Sequence, residues 1–358
     1  KPVGADIEML LYKPRPGTEG SEAAKKCSVE GEGADKTAPV VFSQTFTNSD
    51  GYFQMNLPPG HYCYRTHQKG RPLGDYRHFE VGDSDRFLRA DTKSHAAIEA
   101  RVTNASGQPI PAKMTVVGTH EDRGDTPKRH FLYDLEAGQS WRTTDFVPDE
   151  QDDPQTRRYI EAVDYSSTDG EIHKRLRPGK YTLYFSRGPE YNLYTKQVDL
   201  KPGNTARVNA KLKEVVNTDG YLSGDFHMHA QGSIDSGLNY TDRVISIAAE
   251  DVEVVVSSDH NYVSDFLPYI ERQGLQNWMR SVVGVELTTF EFGHFNAFPL
   301  DYEVGSVNRG SIKWQRIAPQ QIFDELRSRG KLGPDETIIQ VNHPRDSILG
   351  YFSQFNIE

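Results

Sequence analysis

The stretch from Tyr221 to Asn261 constrains the fold more than any other part of the chain. It contains a short apolar run ending on two histidines, a helix-like segment, and a second apolar run ending on Asp259 and His260. If the first run is a strand, His227 and His229 lie on one face of it, because side chains alternate along a strand. The two imidazoles can then reach the same metal ion.

The segment between these two runs is predicted to be a helix, with Thr241 as a suitable N-cap. The β-branched run Val252–Val256, interrupted only by a glutamate, is typical of a strand buried on both faces of a parallel sheet. A second helix is predicted from about Ala318 to Arg329, with Pro319 at its first position. Ligands of such sheets bind beyond the carboxyl ends of the strands, so a site is predicted there.

Further ligand-type side chains follow later apolar runs in the same way. The run Ser281–Val285 is followed by Glu286, His294 comes after a short loop, and the predicted strand Thr337–Val341 leads to His343. A single histidine at a strand end is usually structural. The shared location of many such side chains therefore carries the prediction of a metal site.

These segments resemble a known family. The sequences HMH, SSDHN, GVE, GHFNAFP and NHPR are similar to the successive motifs of the PHP (polymerase and histidinol phosphatase) superfamily. The resemblance is strongest to its CehA/McbA-type metallohydrolase branch, named for a carbaryl hydrolase, and covers about Gly220 to Arg345. It implies an α/β fold, a distorted (β/α)7 barrel, that holds two or three divalent ions of zinc, manganese or iron.

The resemblance also implies which residues bind these ions. The ligand pairs are His227 and His229 for the first ion, His294 and His343 for the second, and Asp235 and His260 for the third. Glu286 would bind the first ion and bridge to the second. Asp259 would orient a ligand rather than bind an ion, since a ligating histidine usually needs a partner for its other ring nitrogen.

The activity implied by the resemblance is metal-dependent hydrolysis. A hydroxide bridging the ions, available because bound metal lowers the pKa of water to about 7, would attack a phosphoester, or a carbamate, ester or amide. Glu286, Asp259 and Arg345 would be the catalytic residues. Arg345 would hold an anionic group of a small-molecule substrate, or else form a surface salt bridge.

A non-catalytic alternative is a surface- or glycan-binding scaffold with a degenerate barrel. The resemblance implies a late motif, an aspartate and a histidine one residue apart, after His343. The sequence has no such pair there, and this favours the non-catalytic alternative. The barrel segment is also short against the roughly 250 residues of a complete barrel. Either the chain lacks the C-terminal part of the barrel, through truncation or processing, or it binds fewer ions than its relatives.

The first 215 residues are predicted to hold two copies of one β module. Asp50-Gly51 and Pro59-Gly60 have the same spacing as Asp169-Gly170 and Pro178-Gly179. Asp-Gly signals a tight turn, and Pro-Gly before alternating apolar residues signals the start of a strand. The modules resemble carboxypeptidase-regulatory-like, transthyretin-type β-sandwiches, which are common in exported proteins.

The predicted fold class is thus multidomain, with two all-β sandwiches followed by the barrel. The predicted domains are 1–95, whose first strand is expected to be missing, 96–215 with an acidic insertion at 120–167, and 216–358. The two cysteines, Cys27 and Cys63, form either a disulfide or two buried free thiols.

The net charge and the hydropathy of the sequence argue against two classes of binding partner, nucleic acids and the membrane interior. The net charge of −10 argues against a nucleic-acid partner, which usually requires a basic surface. A membrane span is not predicted, since no apolar run reaches about eighteen residues. We expect a secreted, periplasmic or cell-surface protein whose β modules contact a surface or glycan.

Overall fold

A computed structural model describes residues 8–13, 27, 40–68, 70–72, 74–119 and 158–357. They form two all-β modules and a C-terminal unit that contains both helices and strands. Most of the predicted acidic insertion, residues 120–157, and the predicted start of the first module lie outside the described residues.

The first module is one antiparallel sheet with the strand order β2-β1-β3-β4. Its strands are β1 (Glu8–Lys13), β2 (Val40–Phe46), β3 (Gly60–His67) and β4 (Arg77–Val81). One face carries the buried core, to which β1 and β3 each contribute two alternate residues and β4 contributes one: Met9, Leu11, Tyr62, Tyr64 and Phe79.

The predicted sandwich is corrected for this module, because its described residues form a single sheet. Partly buried apolar side chains from irregular segments pack on the core face instead, namely Phe53, Met55, Leu57, Leu88 and Ala90. These segments cover the apolar face that a second sheet would have covered.

A disulfide joins Cys27 to Cys63 of β3. The bond connects residues 36 positions apart and therefore restricts the unfolded chain. We expect its reduction to lower the free energy of unfolding of the first module by about 3–4 kcal/mol. The measurement is denaturant unfolding with and without reductant, with the unfolding of the second module as the internal control. An unchanged unfolding midpoint of the first module would contradict this expectation.

The second module is a sandwich of two sheets, ordered β10-β9-β6-β7 and β11-β5-β8. The strands are β5 (Ala96–Thr103), β6 (Ala112–Thr119), β7 (Arg158–Ser166), β8 (Glu171–Leu176), β9 (Gly179–Ser186), β10 (Tyr194–Leu200) and β11 (Thr205–Lys211). Ile98 of β5, Val116 of β6 and Leu183 of β9 meet in one buried core between the sheets. Residues 158–166, placed in the insertion by the sequence, belong to the sheet as β7.

The two modules share the turn and strand start predicted from their repeat. Gly51 and Gly170 both have positive φ, 82° and 69°, and a Cβ on Gly170 would lie 2.3 Å from the Val102 carbonyl oxygen. Strands β3 and β9 both begin at the glycine of Pro-Gly. The tyrosine two residues after that glycine donates its hydroxyl hydrogen to the carbonyl four residues earlier in both modules, at 2.8 Å for Tyr62 and 3.0 Å for Tyr181.

The C-terminal unit has two three-stranded sheets. One is parallel and contains β12 (Gly224–Met228), β13 (Val254–Ser257) and β14 (Arg280–Val283). The other is antiparallel and contains β15 (Val285–Thr288), β16 (His294–Phe298) and β17 (Ile338–Val341). The helices are α1 (Tyr240–Ala249), α2 (Leu267–Arg272), α3 (Pro319–Ser328) and α4 (Tyr351–Gln354).

The predicted distorted (β/α)7 barrel is wrong, because the strands of this unit do not continue one parallel sheet. The predicted strand at 281–285 is divided at Gly284, where a Cβ would lie 2.8 Å from Val256 Cγ1 and 2.9 Å from the Ala297 carbonyl oxygen. The chain then enters the hairpin of β15 and β16, which is antiparallel. Across the described ranges the C-terminal unit therefore has two separate sheets and no closed barrel.

The second module packs on the C-terminal unit through Arg187, which is 2% exposed. Its guanidinium donates hydrogen bonds to the carbonyl oxygens of Pro111 (2.9 Å) and Ala248 (2.6 Å) and pairs with the Asp251 carboxylate. It also lies 4.7 Å from the ring centre of Trp278. The structure thus shows a buried ionic contact between the two units.

Candidate metal centre

Glu286 of β15 is fully buried, at the centre of a cluster of histidines. It lies opposite Asn296 in the β15–β16 pair, and its backbone forms an isolated bridge with that of His260. The Glu286 carboxylate is therefore held where the two sheets of the C-terminal unit meet.

Three histidines contact one oxygen of this carboxylate. Glu286 Oε2 lies 3.0 Å from His227 Nε2, 3.1 Å from His229 Nε2 and 3.2 Å from His260 Nδ1. His227 is in β12, and the other two follow the ends of β12 and β13. The structure thus brings together the three histidines of the first two predicted strands.

Two more histidines lie at the other oxygen. Glu286 Oε1 is 3.1 Å from His294 Nδ1 and 3.7 Å from His343 Nε2, and these two nitrogens are 3.1 Å apart. The Asn342 side chain donates a hydrogen bond of 3.0 Å to the same oxygen. One carboxylate therefore contacts five histidines that come from four segments of the chain.

Asp235 forms a second, more exposed acidic group beside two of these histidines. Its carboxylate lies 3.6 Å from His229 Nδ1 and 3.4 Å from His260 Nε2, and it accepts a 2.7 Å hydrogen bond from Ser233. His229 and His260 each contact Asp235 through one ring nitrogen and Glu286 through the other. Both histidines thus connect the two carboxylates.

The arrangement suits metal coordination. Ligand atoms at 2.0–2.1 Å from a tetrahedral zinc are about 3.3 Å apart, and the cluster spacings of 3.0–3.7 Å bracket that value. Three overlapping groups have ligand atoms close enough together to share an ion. The first is His227, His229 and Glu286; the second is His229, Asp235 and His260; the third is His260, Glu286 and His294. The chemistry of the donors, imidazole and carboxylate, fits zinc, manganese or iron.

The cluster shifts the pKa values of its own members. Burial opposes ionisation of Glu286, but hydrogen bonds from His227, His229 and Asn342, among others, outweigh it and hold the pKa of Glu286 well below its usual range. The pKa of His260 is lowered, because the effect of burial outweighs the opposite effect of the Glu286 charge. The pKa of His229 is raised, because contact with Glu286 and Asp235 outweighs burial. The cluster therefore favours the ionised form of Glu286.

Asp259 lies beside the cluster and holds the backbone around it. Its buried carboxylate accepts hydrogen bonds from the Ala230 N–H (2.6 Å), the Tyr240 hydroxyl (2.9 Å) and the Ser264 hydroxyl (2.6 Å). Burial and the charge of Asp259 raise the pKa of Tyr240, so its hydroxyl remains a donor. Asp259 thus links the end of β12 to the start of α1.

Arg345 is placed against the end of the chain. Its guanidinium donates a 3.3 Å hydrogen bond to the Ile357 carbonyl and lies 5.7 Å from the ring centre of Phe352. The salt-bridge alternative predicted a carboxylate partner for Arg345. The contacts shown here are instead with a backbone carbonyl and an aromatic ring.

Two asparagines of the site were not predicted. Asn342 donates to both Glu286 and Asn296 (2.7 Å), and Asn296 donates to the Phe226 carbonyl (2.6 Å), so a chain of hydrogen bonds joins the antiparallel sheet to β12. Both residues lie inside the NHPR and GHFNAFP segments. Their positions within two residues of His294 and His343 were the signal that could have indicated them.

Comparison with known proteins gives no family for the chain. No family model matches it, and no curated protein matches. Among solved structures, a minor pilin of the gram-positive pathogen Streptococcus agalactiae is 18% identical, with 60% of this chain and 84% of that chain covered and a TM-score of 0.26. The shaft pilin SpaA of Lactobacillus rhamnosus GG is 10% identical, with 60% and 93% covered and a TM-score of 0.30.

A 3-chlorocatechol 1,2-dioxygenase from Rhodococcus opacus is similar over a smaller region. It is 10% identical, with 34% of this chain and 60% of that chain covered and a TM-score of 0.21. At scores this low, neither a shared fold nor a shared function follows.

These findings correct the predicted family and activity. PHP-superfamily membership rested on short motifs and implied a barrel, yet no family model matches and the described strands form two separate sheets. The prediction of a metal-dependent hydrolase, a phosphoesterase or carbamate hydrolase, depended on that family and is wrong with it. The implied small-molecule substrate and the catalytic roles of Glu286, Asp259 and Arg345 lose their basis. Metal binding by the cluster does not depend on the family or on the activity. It remains a prediction.

None of the described helices is long and apolar enough to cross a membrane. The disulfide between Cys27 and Cys63 is a bond typical of oxidising compartments such as the cell surface. The disulfide agrees with the expectation of an exported chain.

Proposed function

We propose that the chain is an exported, non-catalytic scaffold whose C-terminal unit binds divalent metal ions at Glu286. The observation that supports this most strongly is the contact of one buried carboxylate with nitrogens of five histidines. Four of these histidines, His227, His229, His260 and His294, belong to groups whose ligand atoms lie close enough together to share an ion with a carboxylate.

The proposed role of the metal is to cross-link the C-terminal unit. The ligands come from the ends of β12 and β13, from β15 and β16, and from the segment after β17. An ion bound by them joins the parallel sheet to the antiparallel sheet, and its binding free energy adds to the folding free energy. The buried amides of Asn296 and Asn342 hold the same junction in place.

The β modules supply the scaffold in this proposal. The second is a closely packed sandwich attached to the C-terminal unit by Arg187, and the first is covalently closed by its disulfide. Contact with a cell surface or glycan would occur through these modules. Exposed aromatic side chains of the first module, Tyr52 and Phe87, offer rings for such contact.

Zinc is expected to stabilise the C-terminal unit. A ligand that binds only the folded state adds about 2.7 kcal/mol to the free energy of unfolding when present at about 100 times its dissociation constant. The measurement is denaturant unfolding after treatment with a chelator, with and without added zinc, followed by tryptophan fluorescence. Magnesium, which prefers oxygen ligands, is the control ion. Equal unfolding midpoints with zinc and with magnesium would contradict the proposal.

A further inference from the structure

A pair of histidines lies in the first module, far in sequence from the Glu286 cluster. His61 Nδ1 and His78 Nε2 are 3.2 Å apart, and the planes of the two rings make an angle of 24°. His61 is in β3 and His78 is in the neighbouring strand β4. The paired strands hold both rings in position without help from a flexible loop.

The register of the two strands places the pair on one face of the sheet. His61 lies opposite Glu80, and His78 lies opposite Cys63, whose disulfide fixes that position. Because side chains alternate, all four residues lie on the face away from the Tyr62 and Phe79 core. His78 is exposed, so the pair is accessible to ions in solution.

We propose that His61 and His78 form a second metal site, specific for ions that prefer imidazole, such as zinc, copper or nickel. Two nitrogens bound to one tetrahedral zinc are about 3.3 Å apart, close to the observed 3.2 Å. The remaining coordination positions face solvent and are open to water or to a ligand from another molecule. With two protein ligands, the site binds zinc more weakly than the Glu286 cluster does.

The charges around the pair favour binding near neutral pH. Burial and the neighbouring His61 lower the pKa of His78, while Glu80 raises it to a lesser extent. His78 is therefore mostly neutral at pH 7, and a neutral ring has a nitrogen lone pair to give to a metal. The carboxylate of Glu80 offers a compensating negative charge on the same face of the sheet.

Without a metal, the same contact is a hydrogen bond between two neutral rings, in which one nitrogen donates and the other accepts. The two cases differ in a measurable way, since a metal displaces the shared proton. The ring ¹⁵N shifts of His61 and His78 then respond to zinc at the two facing nitrogens. A simple hydrogen-bonded pair shows no such response.

The test is zinc titration of the full chain by calorimetry, compared with His61→Gln and His78→Gln. The control is His173→Gln, which removes an exposed histidine of the second module that lies 3.4 Å from the carboxylate of Glu171 in its own strand. Either variant of the pair should lose one weak zinc equivalent, and the control should keep it. Near-ultraviolet circular dichroism checks that the variants remain folded.

The inference is overturned if the His61→Gln and His78→Gln variants bind the same number of zinc ions as the native chain. It is also overturned if the ¹⁵N shifts of the facing nitrogens do not change with zinc. Both readouts are independent of the Glu286 cluster, so failure of that cluster to bind metal leaves the test intact.

Discussion

Replacing Glu286 by glutamine is expected to weaken zinc binding at the cluster by at least about 100-fold, more than the loss of an outer hydrogen-bond partner would. Glutamine has nearly the same shape, but it lacks the negative charge and replaces one acceptor oxygen with an NH₂ group. Two of the three possible ligand groups contain Glu286. The measurement is calorimetric titration of the chelator-treated chain with zinc.

The matched control is Glu303→Gln, which removes an exposed carboxylate paired with Arg329 at 2.7 Å. It should bind zinc like the native chain. His227→Asn provides a second test, since its half-exposed ring can be removed with less disturbance than buried Glu286. Native-like zinc affinity in both the Glu286 and the His227 variants would show that the cluster does not bind metal.

Replacing Arg187 by methionine is expected to lower the free energy of unfolding by about 3–5 kcal/mol, as for the loss of one partner from a buried ion pair. Asp251 and the carbonyls of Pro111 and Ala248 would lose the hydrogen bonds that they accept from the guanidinium. Burial already raises the pKa of Asp251, and Arg187 is the charge that opposes this rise. The measurement is the denaturant midpoint of the transition that includes the second module and the C-terminal unit.

Two further variants distinguish the stability effect of the buried Arg187–Asp251 pair from the effect of removing any arginine side chain. Arg207→Met removes a side chain that is 82% exposed and pairs with Glu99, and it should change stability by no more than about 0.5 kcal/mol. Adding Asp251→Asn to Arg187→Met should recover part of the loss, because the unpaired buried charge is then gone. Equal effects of Arg187→Met and Arg207→Met would contradict a buried interface.

The location of the candidate metal centre could be predicted from the sequence, because position at the end of an apolar run is a local property. His227, His260 and His343 follow or end such runs, and the structure brings all three to Glu286. The start of α3 was equally local, since Pro319 fixes the first turn of the helix. Both features are set by residues that are adjacent in sequence, so the sequence alone is enough to predict them.

The arrangement of the strands could not be predicted in the same way. An apolar run has the same appearance whether its neighbour is parallel or antiparallel, so the runs at 281–285 and 337–341 were expected to belong to one parallel barrel. The break at Gly284 depends on the close approach of Val256 and Ala297, which are distant in sequence. The buried role of Arg187 likewise depends on α1, a partner about sixty residues farther along the chain.

The most direct test of the account is the metal content of the intact chain. The protein would be loaded in turn with zinc, manganese and iron, dialysed, and analysed by inductively coupled plasma mass spectrometry beside Glu286→Gln. We predict that the native chain retains one or more ions of at least one metal and that the variant does not. A native chain that retains no more metal than the variant, for all three metals, would contradict the central claim that Glu286 and its histidines bind metal.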